Sequence, residues 1–188
     1  MTNYLILVRH SVPEIYGDRP ANTWNLSEEG RLRAQRLAQE LKNFEPDVIV
    51  SSDEPKAKET AEILASDLGL EMQMHPDLHE HDRSNVPYLS LDAFQVLIRD
   101  FFQKPDQLVF GNETGNQAYA RFYHAIHSIL NENINNTVVV VTHGTVISLF
   151  VARLTGSSDL ELWSKLGLPS FVAMDLHSNT VIVRSTIV

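Results

Sequence analysis

The stretch Leu5-Ile6-Leu7-Val8-Arg9-His10-Ser11 decides how the chain is read. An apolar run ends, and an arginine and a histidine follow at once. A short run rich in Leu, Ile and Val reads as a strand buried on both faces. The two polar residues then fall at its carboxyl end, where open α/β sheets gather ligand chemistry. Histidine can act as nucleophile, acid, base or ligand. Arginine beside it offers a planar fork of donors suited to phosphate. Taken alone, the dipeptide fits better a strand that stops in two surface residues, because short motifs match freely. The rest of the chain has to decide.

Outward from that strand, set at Tyr4 to Val8, extended and helical segments alternate. Ser11 to Asn25 is a loop with Pro13, Gly17 and Pro20 as breakers. Ser27 is placed to cap a helix running to about Asn43, with Leu32, Ala34, Leu37, Ala38 and Leu41 on its apolar face. A second strand, Val48 to Val50, ends in Ser51-Ser52-Asp53. Pro55 fits the first turn of a helix stopped at Leu68 by Gly69. Glu71 to His75 reads as a short strand. Asp77 to Gly111 is irregular, with one helix at Leu91 to Gln103. A helix from Gly115 to Glu132 leads to the most apolar strand, Thr137 to Thr142. A helix follows to Leu154, then one over Asp159 to Leu166. Strands at Phe171 to Leu176 and Thr180 to Ile187 close the chain around a turn at His177-Ser178-Asn179. This alternation predicts an α/β fold: a three-layer α/β/α sandwich with a mostly parallel central sheet and an antiparallel edge. One domain is expected over residues 1–188, with a small lid-like insertion at about 77–111.

The bulk properties narrow the partners. The chain has 188 residues, 43% hydrophobic and 21% charged, with a net charge of -9. The acidic balance argues against nucleic acid or an anionic membrane as the main partner. No segment is apolar over the length needed to span a bilayer, and the first apolar run is too short for a signal peptide. With no cysteine, disulfides and thiolate metal sites are excluded, in keeping with a cytoplasmic location. The oligomeric state is left open.

Three apolar segments end in polar residues: Arg9-His10, Ser51-Ser52-Asp53 and Thr142-His143-Gly144. In a parallel sheet these ends share one edge. Gly144 lets backbone approach a ligand closely, and the helix after it offers free amides and a positive dipole end. The combination points to an anion, most simply a phosphoryl group.

The motifs resemble those of the histidine phosphatase superfamily, which includes the phosphoglycerate mutases that use a bisphosphate cofactor. Arg9-His10-Ser11 matches its Arg-His-Gly signature. Trp24-Asn25-Leu26-Ser27-Glu28-Glu29-Gly30 is similar to its Leu-(Ser/Thr)-x-x-Gly helix entry. The run from Ser51 to Ala61 resembles Ser-Ser-x-x-x-Arg-Ala-x-x-Thr-Ala. Leu78-His79-Glu80 falls where the family carries its acid, Gly111-Asn112-Glu113-Thr114 resembles its Gly-Glu-Ser step, and Val140-Val141-Thr142-His143-Gly144 matches its second histidine. The resemblance implies that His10 attacks phosphorus and carries it as phosphohistidine. Arg9 and His143 would hold the phosphoryl oxygens. Glu80 would protonate the leaving oxygen, which requires it to keep a proton part of the time near neutral pH. It implies no metal and no cofactor, and a small phosphorylated substrate.

Two departures stand out. Lys56 takes the place of the family's helix arginine and is expected as a weaker phosphate ligand, with Arg83 a candidate for the missing fork. Ser11 replaces a glycine, and its amide or hydroxyl could donate to phosphate. Val12 to Tyr16 shows no sign of the substrate contacts a mutase carries there. His75, His79 and His81, with Asp77, Glu80 and Asp82, read as a polar loop rather than a metal site. His124 and His127 read as a solvated pair, and Glu113 and Arg121 as structural. The leading expectation is therefore a phosphomonoester hydrolase. A phosphoglycerate-type mutase and a phosphate-binding regulatory domain with little turnover are the alternatives.

Overall fold

The computed structural model describes residues 3–178 and 180–186. Among the described residues six strands form one sheet: β1 (Tyr4–Arg9), β2 (Val48–Ser51), β3 (Met72–Met74), β4 (Val138–Thr142), β5 (Ser170–Asp175) and β6 (Thr180–Thr186). Six α-helices accompany them: α1 (Glu28–Leu41), α2 (Pro55–Leu68), α3 (Leu91–Gln103), α4 (Gly115–Glu132), α5 (Gly144–Thr155) and α6 (Asp159–Lys165). The strand order is β3-β2-β4-β1-β5-β6. β1, β2, β3 and β4 pair in parallel; β5 runs antiparallel to β1, and β6 antiparallel to β5. The parallel sheet with an antiparallel edge is the arrangement expected from the alternation.

Side-chain alternation along the strands builds the two faces. Leu5 and Leu7 of β1, Val138 and Val140 of β4, and Val172 and Met174 of β5 pack on Phe122, Ile126, Ile147 and Phe150 of α4 and α5. Ile6, Val8, Val139, Val141, Phe171 and Ala173 face the other way, onto Leu37 and Leu41 of α1 and Ala61 and Leu64 of α2. The layers are thus helix, sheet, helix. Leu7 is completely buried, so its truncation to alanine costs about 2–5 kcal/mol.

Local signals hold the helices in place. The Ser27 hydroxyl accepts the Gly30 amide at the start of α1, and Gly69 ends α2 in the left-handed conformation at φ 69°. α1 stops at Leu41, short of the expected Asn43, and a tight turn over Lys42–Phe44 continues it. Leu32, expected on the apolar face, is 48% exposed; Ala34, Leu37, Ala38 and Leu41 carry that face without it. α3 spans the expected residues. Its inner side, Ile98, Phe101 and Phe102, packs with Ala118, Leu149 and Trp163 in a third cluster. In the last turn, Asp175 Oδ1 accepts the amides of His177 and Ser178. Asn179 and Ile187, included in the expected turn and strand, lie outside the described residues.

Candidate active site

Parallel pairing of β1 with β4 sets Arg9 opposite Thr142, so the residues that follow each strand meet. The His10 amide donates to the Thr142 carbonyl at 2.9 Å, and the His10 and His143 rings stand edge to face, 5.2 Å apart. His10 is only 6% exposed. Its Nδ1 lies 2.7 Å from the Ser11 carbonyl oxygen. A carbonyl can only accept, so Nδ1 carries the ring proton and Nε2 keeps its lone pair. Burial first, then the charges of Lys56, His143 and Arg9, push the His10 pKa well below its ordinary 6.5. The ring is therefore neutral near neutral pH, with the Nε2 lone pair available.

His143 is fully buried. Its Nε2 lies 2.9 Å from the Ser52 hydroxyl at the end of β2. Burial, then Lys56, lowers its pKa far below 6.5. Nδ1 has no hydrogen-bond partner among the described residues. Arg9 turns back across the strand end and donates from Nη1 to the Leu166 carbonyl at 2.5 Å. Burial lowers its pKa to about 10, with Glu80 pulling the other way, so it stays cationic. Gly144 is what admits it: a Cβ there would stand 3.0 Å from Arg9 Nε and 3.2 Å from Cζ.

The opposite wall is made of ion pairs. Lys56, in the first turn of α2, is buried; its Nζ donates to Glu54 Oε2 at 2.5 Å and to the Ala21 carbonyl at 2.8 Å. Glu54 Oε1 accepts the Glu80 amide at 2.9 Å and stands 3.6 Å from His143 Nε2. Glu80 Oε1 accepts the His81 amide at 2.9 Å, and Oε2 accepts the Thr145 amide at 3.2 Å. Arg83 Nη2 stands 3.6 Å from Glu80 Oε2. Behind this loop, Arg121 pairs with Glu113 at 2.6 Å and donates to the carbonyls of Asp77, His79 and Glu80. Those contacts fix the backbone that presents Glu80, a positioning role for both residues.

The structure brings Arg9, His10, Lys56, Glu80, Arg83, His143 and Gly144 into one neighbourhood. Ser11 is not part of it. Its amide donates to Thr60 Oγ1 at 3.0 Å and its hydroxyl to the Gly30 carbonyl at 2.6 Å. Both donors expected to face phosphate thus bind the protein, because this side chain ties β1 to α1 and α2. The expected protonated Glu80 is also corrected. Burial pushes its carboxyl up, but Arg83, His143 and the His81 amide outweigh that and hold it below the usual carboxylate range. Glu80 is ionised in the ligand-free site. The loop histidines are engaged locally: His79 Nδ1 with the Glu80 carbonyl, His75 with the Asp77 amide, and His81 Nε2 with the Glu113 carbonyl.

Ser52 belongs to a strand end expected at this edge, whereas sequence reasoning alone assigns no role to Glu54, Thr60 or Thr145. Glu54 carried one faint signal, an acid two residues before the motif's cation. A cavity of about 320 Å³ is walled by Glu54, Lys56, Glu80 and Arg83, with Asp53, Asp82 and Asn22 at its sides; His10, His143 and Arg9 do not line it, and Glu54, whose Oε1 stands 3.6 Å from His143 Nε2, connects the two.

The sequence profile described as histidine phosphatase superfamily (branch 1) matches residues 5–185. The chain belongs to that family. Among its branch 1 relatives, phosphoserine phosphatase 1 of Hydrogenobacter thermophilus is 28% identical over 85% of this chain and 80% of its own length. Phosphoglycerate mutase-like protein 4 of Arabidopsis thaliana is 29% identical over 82% and 72%. The crystal structure of phosphoserine phosphatase from Entamoeba histolytica in complex with 3-phosphoglyceric acid superimposes with a TM-score of 0.80. It is 20% identical and covers 98% of this chain and 97% of its own. That likeness supports the histidine phosphatase fold described above. Among the described residues no helix is long and apolar enough to cross a membrane.

Proposed function

We propose that this chain is a phosphomonoester hydrolase that works through a phosphohistidine on His10. The observation that carries this reading is the His10 ring: neutral, with its proton held on Nδ1 by the Ser11 carbonyl at 2.7 Å and Nε2 left as a nucleophile. The Nε2 lone pair forms the N–P bond as the bond from phosphorus to the leaving oxygen breaks. Arg9 and Arg83 offset charge on the phosphoryl oxygens. Ser52 Oγ already accepts the Glu54 amide, so its hydroxyl proton can go to His143 Nε2. His143 Nδ1–H is then the free donor for a phosphoryl oxygen.

Glu80 supplies the proton to the leaving oxygen. The ligand-free geometry keeps it ionised, so the proton arrives with the substrate. A phosphoryl dianion draws off the charge of Arg83 and adds negative charge of its own, and both raise the Glu80 pKa. In the second half, Glu80 takes a proton from water as water oxygen bonds to phosphorus and the P–N bond breaks. Phosphate leaves and His10 is restored.

The named relatives support a small phosphorylated substrate. A mutase-like relative keeps phosphoryl transfer between phosphoglycerates as a second reading; that reaction would need a bisphosphate primer. The stretch at about 77–111 would act as a lid within a single domain, since residues 79–84 line the cavity. A cysteine-free sequence supports work in the reducing cytoplasm. The test is hydrolysis of p-nitrophenyl phosphate by wild type and His10→Ala, with mass analysis of the alkali-quenched enzyme. We expect a loss on the order of 10⁴-fold or more and a phosphoryl group on the His10 peptide of the wild type only. Equal rates would overturn the reading.

A further inference from the structure

The cavity next to the histidine pair has an unusual charge balance for a protein that handles phosphate. Four carboxylates, Asp53, Glu54, Glu80 and Asp82, share its wall with two cations, Lys56 and Arg83. The cations are already matched inside the protein, Lys56 by Glu54 at 2.5 Å and Arg83 by Glu80 at 3.6 Å. Glu54 has no helix-capping task to explain it: it precedes α2 without a side-chain cap bond. It is 9% exposed and touches Lys56 and the amide of Glu80. Asp82 is held as an anion: burial pushes its carboxyl up, and hydrogen bonds from Ser84 and Asn112 outweigh that.

A phosphoryl group that recruits Lys56 and Arg83 therefore takes both cations away from their carboxylates. Glu80 is relieved because it gains the proton that it hands to the leaving oxygen. Glu54 has no such outlet. It is left as a nearly buried anion whose counter-ion now faces phosphate, and unpaired buried charge is costly. On the hydrolase reading, Lys56 and Arg83 draw the phosphoryl group to this wall, and the leaving group would then occupy the space that Glu54, Asp53 and Asp82 border.

On the hydrolase reading above, we propose that Glu54 is a specificity-determining residue that selects phosphomonoesters by the charge of their alcohol portion. Esters whose alcohol carries an ammonium group are favoured, neutral alcohols are intermediate, and alcohols carrying a carboxylate are rejected. An ammonium supplies the counter-ion that Glu54 loses to phosphate. A carboxylate adds a second anion to a cavity with no free cation on its wall among the described residues. This is selection by repulsion as much as by attraction.

The experiment compares O-phosphoethanolamine, glycerol 3-phosphate and 3-phosphoglycerate, with p-nitrophenyl phosphate as reference. In the wild type, kcat/KM for O-phosphoethanolamine should exceed that for 3-phosphoglycerate by about tenfold or more, mainly through KM. Glu54→Gln keeps an acceptor for the Glu80 amide and removes the charge. It should bring the two substrates within about threefold of each other and tighten competitive inhibition by inorganic phosphate, because Lys56 is freed. Taking the ratio of ratios cancels the different intrinsic reactivities of the two esters. Calorimetry of the same esters on His10→Asn gives the affinity order without turnover. If p-nitrophenyl phosphate is not hydrolysed, the hydrolase reading fails, and the calorimetric order still decides the charge selection. A wild type that prefers 3-phosphoglycerate overturns the proposal, with or without a folded Glu54 variant. So does a preference that Glu54→Gln leaves unchanged, or a variant that lowers kcat alone for every ester.

Discussion

At the ends of β1 and β4 each candidate reactive side chain has a neutral hydrogen-bond partner, with the Glu54 carboxylate farther off, 3.6 Å from His143 Nε2. His10 is held by the Ser11 carbonyl, Arg9 by the Leu166 carbonyl and His143 by the Ser52 hydroxyl. Across the cavity, Lys56 and Arg83 are tied to carboxylates, Glu54 and Glu80. Neutral tethers orient a group without cancelling its charge, so the strand-end half is preorganised toward an incoming phosphoryl group. Carboxylate tethers must be exchanged when that group arrives. On the proposed mechanism the first half would set the rate of chemistry, and the second what binds and which proton is carried. The contrast can be broken experimentally on either side.

The largest effect expected after loss of His10 itself is at Glu80. Glu80→Gln should lower kcat by about 10² to 10⁴-fold for esters with poor leaving groups. It should matter far less for p-nitrophenyl phosphate, whose leaving oxygen needs no proton. Phosphate binding to the wild type should take up a proton, seen as a dependence of the calorimetric heat on buffer, and Glu80→Gln should abolish that uptake. A wild type that binds phosphate without proton uptake would mean that Glu80 stays ionised throughout.

Gly144→Ala strikes the strand-end half without touching a charge. The added Cβ would stand 3.0 Å from Arg9 Nε, so the guanidinium must shift. The guanidinium has to give by a few tenths of an ångström, and since a misplacement of about 1 Å costs about 10²-fold, the loss in kcat should approach but not exceed that. The melting temperature should hardly change, since alanine is the better helix former. A variant with full activity would show that Arg9 is not where its charge is used. Lys56→Met tests the other half. Because Lys56 enters already paired with Glu54, we expect phosphate affinity to fall by only about tenfold. Unchanged affinity would show that the lysine never leaves Glu54, and a loss as large as that at Gly144 would erase the distinction between the halves.

The sequence shows one half of this site far better than the other. Arg9, His10 and His143 stand out because apolar strands end abruptly at them, and the parallel sheet puts such ends together. The one helix expected in the irregular stretch, Leu91 to Gln103, forms over those residues, with Ser90 capping it in the structure. Glu54 shows only faintly by the same reasoning: it sits in a polar turn where an acid needs no explanation, and only the fold brings Lys56 and the Glu80 amide to it. Ser11 fails for the opposite reason. Its place beside His10 suggests a ligand, whereas its partners, Thr60 and Gly30, come from helices 49 and 19 residues away. The protonation of Glu80 depends on Arg83, three residues on, and on amides whose direction no pattern reveals.

The smallest effect, and the one that separates the halves through stability rather than rate, is acid sensitivity. His10, His81 and His143 are all held below their ordinary 6.5, each first by burial. In the unfolded chain these rings titrate near 6.5, while in the folded protein they stay neutral to lower pH. The unfolded state therefore binds more protons once the pH falls below about 6.5, and folding stability declines from there toward the folded pKa values. Each such histidine contributes up to about 1.4 kcal/mol per pH unit in that window. Glu80, whose ordinary value is 4.5, adds its own loss only at lower pH. Denaturant unfolding at pH 7.5, 6.5 and 5.5 should show little change over the first step and a clear fall over the second. His10→Asn and His143→Asn should each flatten that fall, and Lys56→Met should deepen neither step, because removing the lysine relieves both rings of a neighbouring positive charge. A stability that is level from pH 7.5 to 5.5 would mean that the strand-end histidines take up protons in the folded protein as readily as in the unfolded chain, and the lone pair of His10 would then be lost as the pH falls through about 6.5.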